Sequence, residues 1–223
     1  MEHPPLTVGD VMTHAVIAVG RDAPFKEIVE TLQRWHISAI PVLAGDARVI
    51  GVVSEADLLV KEEYGSRPTE HAADARDLGR ATAVTAGQLM SVPAITVHAD
   101  ATLPQAARTM ALGHVKRLPV IDSEGHLCGV VSRGDLLKVY LRPDQEMAQQ
   151  VRHDVVRQLL PAGSASIEVS VEEGVVTLAG TVPDPGVIPL LDRLVRAVPG
   201  VVDVDTQLST TDRPEVQLQP HQG

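Results

Sequence analysis

"GVVSEADLL" at Gly51–Leu59 and "GVVSRGDLL" at Gly129–Leu137 are one phrase written twice, changed only at the two positions after the serine. The copies lie 78 residues apart, and sliding the chain by that amount aligns far more than the phrase. Gly9, Met12, Val19, Asp22, Ala23, Thr31, His36, Pro41 and Val42 fall on Gly87, Met90, Val97, Asp100, Ala101, Thr109, His114, Pro119 and Val120 without a gap. Two copies at this spacing make a tandem pair of small domains, whereas a solenoid needs at least three stacked units.

Each copy reads the same way locally. A helical turn ("VGDVM", "AGQLM") leads into a short strand at Val16–Val19 or Ile95–Val97. An amphipathic helix follows, with Phe25, Ile28, Val29 and Leu32, or Leu103, Ala106, Ala107 and Met110, at helical spacing. Two strands come next, "AIPVL" and "RVIGVVS" in the first copy, "RLPVI" and "HLCGVVS" in the second, the latter pair joined by a turn at "DSEG". A closing helix starts after Ser54 or Ser132, each with an aspartate three residues on. Ser-x-x-Asp is helix-start chemistry: the serine caps, and the acid sits near the positive end of the helix dipole.

The order β-α-β-β-α, the "IPV" or "LPV" before the third strand and the "GVVSxxD" turn closely resemble the CBS domain. The pair is similar to a tandem CBS, or Bateman, module, with repeats at 7–61 and 85–141 around a connector at 62–84. The resemblance implies that the repeats pack sheet to sheet and bind adenosine-containing ligands in the clefts between them. It assigns Asp57 and Asp135 to the ribose hydroxyls and Ser54 and Ser132 to the ribose or phosphate. A carboxylate can accept two hydrogen bonds from a cis-diol, and free N–H groups at a helix start suit phosphate. Val16, Ile37, Ile95 and Val115 are candidate walls for the adenine.

The two altered positions matter here. Copy one has Glu55-Ala56 and copy two has Arg133-Gly134; an acid beside a phosphate weakens binding, while an arginine adds a charge-assisted hydrogen bond. Lys116 and Arg117 stand opposite Ser38 and Ala39. In the CBS family, basic residues at this point can contact ligand phosphates. These three cations make the second copy the stronger expected site.

The stretch 61–82 lacks apolar periodicity and reads as a connector, with a helical turn near His71–Asp77 and His71 solvated. After Pro143 the pattern changes. A helix over 144–160 puts Met147, Val151, Val155 and Leu159 on one face. "SIEVSVEEGVVTLAGTV" reads as a hairpin turning at Glu173-Gly174, "PGVIPLLDRLVRAV" as a helix burying Ile188, Leu191, Leu194 and Val195, and "GVVDVDTQL" as a last strand. The order αββαβ, with "GVVTLAGTV" and "VPGVVDV", resembles the BON domain over 144–209, followed by a polar, disordered tail at 210–223. The fold class is thus α+β, a Bateman module plus a small BON-like domain.

Composition narrows the functions. The net charge is −10 and the chain has two Tyr, one Phe and one Trp, so it offers neither a basic stripe nor stacking platforms for nucleic acid. The single cysteine, Cys128, reads as a small buried hydrophobe, and no histidine spacing suggests a metal centre. No signal peptide or membrane span is read, which gives an expected cytoplasmic location. BON domains are described as phospholipid-binding, but residues 144–212 hold four arginines against eleven acids, and that charge opposes anionic lipid.

Two functions follow. The chain is a regulatory sensor whose CBS pair binds AMP, ADP or ATP, or alternatively NAD or S-adenosylmethionine, and relays that state through the BON domain to a protein partner. Otherwise it is a tethering protein whose CBS pair only dimerises and whose BON domain holds membrane or protein. In either case the CBS modules form a homodimer. No nucleophile–base pair or phosphate loop supports catalysis.

Overall fold

The structure is a computed structural model and describes residues 6–65, 79, 82–161 and 166–210. The expected helical turn near His71–Asp77 and the tail beyond Thr210 lie outside the described residues. The chain forms two compact units, Leu6–Leu136 and the part from Leu137 onward.

In the first unit each repeat builds a three-stranded sheet. The first sheet has the order β1 (Val19–Gly20), β2 (Ala39–Leu43), β3 (Val49–Ser54), and the second has the order β4 (Val97–His98), β5 (Arg117–Ile121), β6 (Leu127–Ser132). The first pairing in each sheet is parallel and the second antiparallel, with Ala39 opposite Ser54 and Arg117 opposite Ser132. β1 and β4 are only two residues long, because pairing begins at Val19↔Val42 and Val97↔Val120. Val16 and Ile95 therefore precede the strands instead of opening them.

The helix Phe25–Trp35 buries Ile28 and Leu32, and the helix Leu103–Leu112 buries Leu103, Ala106 and Met110. Val29 is half-buried and Ala107 is exposed, since both fall at the margin of the buried stripe. Thr102 caps its helix by accepting from the Gln105 N–H, while the Gln105 side chain accepts from the Thr102 N–H.

The repeats exchange their leading turns. The turn Val8–Val11 donates to the other copy, from Val8 N–H to Ala101 O and from Gly9 N–H to Ala99 O. Ala86–Leu89 returns the exchange, from Ala86 N–H to Ala23 O and from Gly87 N–H to Arg21 O, and Ala83, Ala86 and Leu89 complete the first repeat's core. Isolated bridges obey the same 78-residue symmetry: Thr7↔Thr102 with Pro24↔Thr85, and Thr13↔Val130 with Val52↔Ser91. The two copies are thus stitched into one body.

The second unit has a sheet ordered β7 (Ile167–Glu172), β8 (Val175–Val182), β9 (Asp203–Thr210). β7–β8 is an antiparallel hairpin, and β8–β9 is parallel across the helix Val187–Arg196. β9 runs to Thr210, a little past the sequence-based end of the domain. Glu173 and Gly174 turn the hairpin with φ of 49° and 78°, and both their N–H groups donate to the Asp144 carboxylate at 2.9 and 3.1 Å. The helical run from Asp144 to Leu159 contains a wide π segment at Val151–Val156. That wider turn buries Val155 and Val156 side by side with Met147 and Val151 against the sheet, leaving Leu159 only partly buried. Leu191 and Val195 are fully buried, with Ile188 and Leu194 packed at the core's edge. The contacts group Lys138–Leu141 with this unit: Val139 is buried, and its carbonyl approaches Gly200 (φ 98°) so closely that a side chain there would collide with it.

Candidate functional site

In both copies the aspartate side chain reaches back to the serine before its helix, and in copy two the Asp135 N–H also donates to the Ser132 Oγ at 3.3 Å. The Asp57 Oδ2 accepts from the Ser54 N–H at 2.8 Å and from the Ser54 hydroxyl at 2.6 Å. Asp135 Oδ2 does the same with Ser132 at 2.9 and 2.7 Å. Capping and ligand binding are compatible, because a carboxylate has a second oxygen with its own lone pairs. At Asp57 that oxygen accepts from the Ser91 hydroxyl of the other repeat at 3.3 Å. Among the described residues Asp57 is the one buried charged side chain.

Two clefts lie between the repeats. The larger, about 530 Å³, is lined by Ser54, Glu55, Asp57, Leu59 and Val52 from copy one. Ser91, Ile95, His114, Val115, Lys116 and Arg117 from copy two complete it. The smaller, about 400 Å³, brings Val16, Ile17, Trp35, Ile37 and Pro41 of copy one against Ser132, Asp135, Val130 and Arg117 of copy two. The larger volume falls within the range of small-molecule pockets.

Each cleft is therefore crossed, taking its Ser/Asp motif from one copy and its walls from the other. That geometry revises the sequence-based ranking. Lys116 lines the Asp57 cleft, not the Asp135 cleft. The Arg133 guanidinium, expected to aid phosphate binding, instead donates to the Val115 carbonyl at 3.0 Å and lines neither cleft. Glu55, read as weakening its own site, shares the larger cleft with the cations Lys116 and Arg117. Arg117 Nε is buried and has no hydrogen-bond partner.

Three lining residues went unread in the sequence. Trp35 is 55% exposed at the end of its helix and lines the smaller cleft. His114 lines the larger one with φ 52°, matched by His36 at φ 51°. A non-glycine residue held left-handed at the same place in both copies is a strained position of the kind found at binding sites. Its signal was present, since both histidines lie on the 78-residue alignment. Ser91 was hidden because it acts from the opposite copy.

Outside the clefts, the "DSEGH" turn gathers Asp122, Glu124 and His126 so that one side-chain ligand atom from each lies within 4.8 Å of the others. Asp122 Oδ1 accepts from the Glu124 and His126 N–H groups, both at 2.9 Å, which fixes the turn. These bonds, that from His126 first, hold the Asp122 carboxyl below the usual carboxylate range. Half-buried Cys128 packs over the same turn, and burial raises its thiol pKa. Among the described residues no helix is long and apolar enough to cross a membrane.

Residues 8–63 and 86–142 match the CBS domain family, and residues 143–212 match the BON domain family. The chain belongs to the CBS domain family and carries a C-terminal BON domain. It is 29% identical over 152 residues to CBSX1, a chloroplastic CBS domain-containing protein of Arabidopsis thaliana, covering 61% of this chain and 64% of that protein. An uncharacterized protein of Methanocaldococcus jannaschii is 27% identical over 155 residues, covering 61% of this chain and 92% of its own length. Among solved structures, CBSX2 in complex with AMP superposes with a TM-score of 0.54 at 26% identity, over 60% of this chain and 96% of that one.

Proposed function

We propose that this protein is a regulatory sensor that binds an adenine nucleotide between its CBS repeats, with the Asp57 cleft as the principal site. The crossed composition of that cleft carries the reading. One end offers the bonded Ser54–Asp57 pair with Ser91, suited to ribose hydroxyls, and the opposite copy contributes Lys116 and Arg117, suited to phosphate. Ile95, Val115 and Val52 supply an aliphatic wall for a purine. The CBSX2–AMP complex supports the ligand class, and the C-terminal BON domain is the element that would relay occupancy to a protein partner.

Thermal melting with AMP, ADP, ATP, NAD and S-adenosylmethionine tests this. A ligand at a hundred times its Kd stabilises the folded state by about 2.7 kcal/mol, a shift of several degrees for a unit of this size. Asp57→Ala should abolish most of the AMP-induced shift, while Asp135→Ala should remove less. Since either change also loosens a helix start, the shift is read against each variant's ligand-free melting point. If none of these ligands shifts the wild-type protein, the sensor reading falls.

A further inference from the structure

Ala39 and Arg117 are equivalent positions of the two repeats, 78 residues apart, and each opens the strand before the motif strand. Among the described residues they are the two that line both clefts. Symmetric binding of two anionic ligands would need a cation at each of these positions. This chain supplies one guanidinium and, across from it, a methyl group.

Other observations sharpen the asymmetry. Arg117 Nε is buried without a hydrogen-bond partner, an unmet donor on the one cation among the described residues that lines both clefts. Lys116 lines only the larger cleft, and Arg133 is engaged with Val115. The smaller cleft thus has no cation of its own among its described lining residues.

We propose that Arg117 is a phosphate anchor shared by the two clefts, so that an anionic ligand in the Asp57 cleft weakens binding of an anionic ligand in the Asp135 cleft. The inference rests on the nucleotide reading above and adds a regulation to it. A planar guanidinium directs its fork at one phosphate at a time. The phosphate in the larger cleft, held also by Lys116, takes that fork. A second phosphate then finds no donor and is repelled by the first, held at the same Arg117. An uncharged adenosine makes no such demand and fills the smaller cleft freely. The clefts are then coupled negatively, through charge, and only for charged ligands.

The chain's single tryptophan makes this measurable, because Trp35 lines the smaller cleft and its fluorescence reports occupancy there. The full-length protein is titrated with AMP and with adenosine, by calorimetry for total binding and by fluorescence for the smaller cleft. With AMP, the Trp35 response should lag the calorimetric midpoint by at least tenfold in concentration. Asp57→Ala, which empties the larger cleft, should bring the AMP response at Trp35 at least tenfold lower, and Arg117→Gln should erase that gain. With adenosine, Asp57→Ala should leave the Trp35 response where it was. AMP that fills both clefts of the wild type at one midpoint, or adenosine that shows the same coupling as AMP, overturns the shared anchor while leaving the sensor standing. AMP that binds neither cleft overturns the nucleotide reading itself.

Discussion

A methyl group added at Gly51 would lie 2.8 Å from Met90 Cγ, and one at Gly129 would lie 3.0 Å from Met12 Cγ. Each glycine of the repeated phrase thus receives the methionine that closes the other copy's leading turn. The four residues form two equivalent contacts, and the backbone bridges Val52↔Ser91 and Thr13↔Val130 run beside them. A side chain at either glycine must push aside a packed thioether, an overpacking strain of about 1–3 kcal/mol. Gly129→Ala should lower the melting temperature of the ligand-free protein. Adding Met12→Ala should recover part of the loss, because the two changes share one contact and cannot be additive. Losses that simply add would mean that the glycine answers to something other than Met12. The phrase was legible as a repeat because its spacing is a property of one chain read twice. Why it holds glycine was not legible, because the reason lies in the opposite copy, 39 residues along the chain for Gly51 and 117 for Gly129.

At the scale of elements, strands and helices were readable wherever periodicity was reinforced by the second copy. β2, β3, β5 and β6 fall where the two sequences agree, and both closing helices start after the serine. The exchange of leading turns was not readable, since apolar turns such as Val8–Val11 state that they are covered and not by which copy. The crossing of the clefts has the same origin, and it moved Lys116 from the Asp135 side to the Asp57 side. In the C-terminal unit, the helix Val187–Arg196 is tied to β9 by Arg196, which bonds to the Asp192 and Asp203 carboxylates and donates to the Val204 carbonyl. The Arg196 hydrogen bond, with a smaller contribution from the Val204 N–H, holds the Asp203 carboxyl below its ordinary value. A carboxyl depressed in the folded state stabilises above its unfolded pKa, about 3.9, and that contribution is lost as pH falls through the folded value. The same sign applies to Asp10, held down by Thr7, and to Asp122. Melting temperature should therefore be flat near neutrality and decline below about pH 4. Asp203→Asn should lower the neutral plateau and soften the acid decline. An unchanged pH profile would show that this exposed cluster contributes nothing measurable, as isolated surface pairs often do.

For the whole molecule, the two repeated phrases each end on a large apolar side chain left in water. Leu59 and Leu137, the last residues of the two phrases, are 64% and 61% exposed, and Leu112 is 76% exposed. Scattered single hydrophobes need no explanation, but a pair repeated at equivalent positions of the two copies presents the same feature twice. A second copy of the chain can cover such repeated side chains, and twofold closure is the commonest way soluble chains associate. The full-length protein should scatter light as a dimer of two 23.8 kDa chains. Leu137→Glu places a charge on that surface without lining either cleft, so it should shift the mass to a single chain while leaving the AMP-induced melting shift of the surviving monomer in place. Leu59→Glu should also break the dimer, but Leu59 lines the larger cleft, so it should weaken AMP binding as well. A wild-type protein that runs as a monomer at micromolar concentration would leave these leucines as the face for another partner. A dimer that survives both substitutions would move the interface away from the repeated phrases.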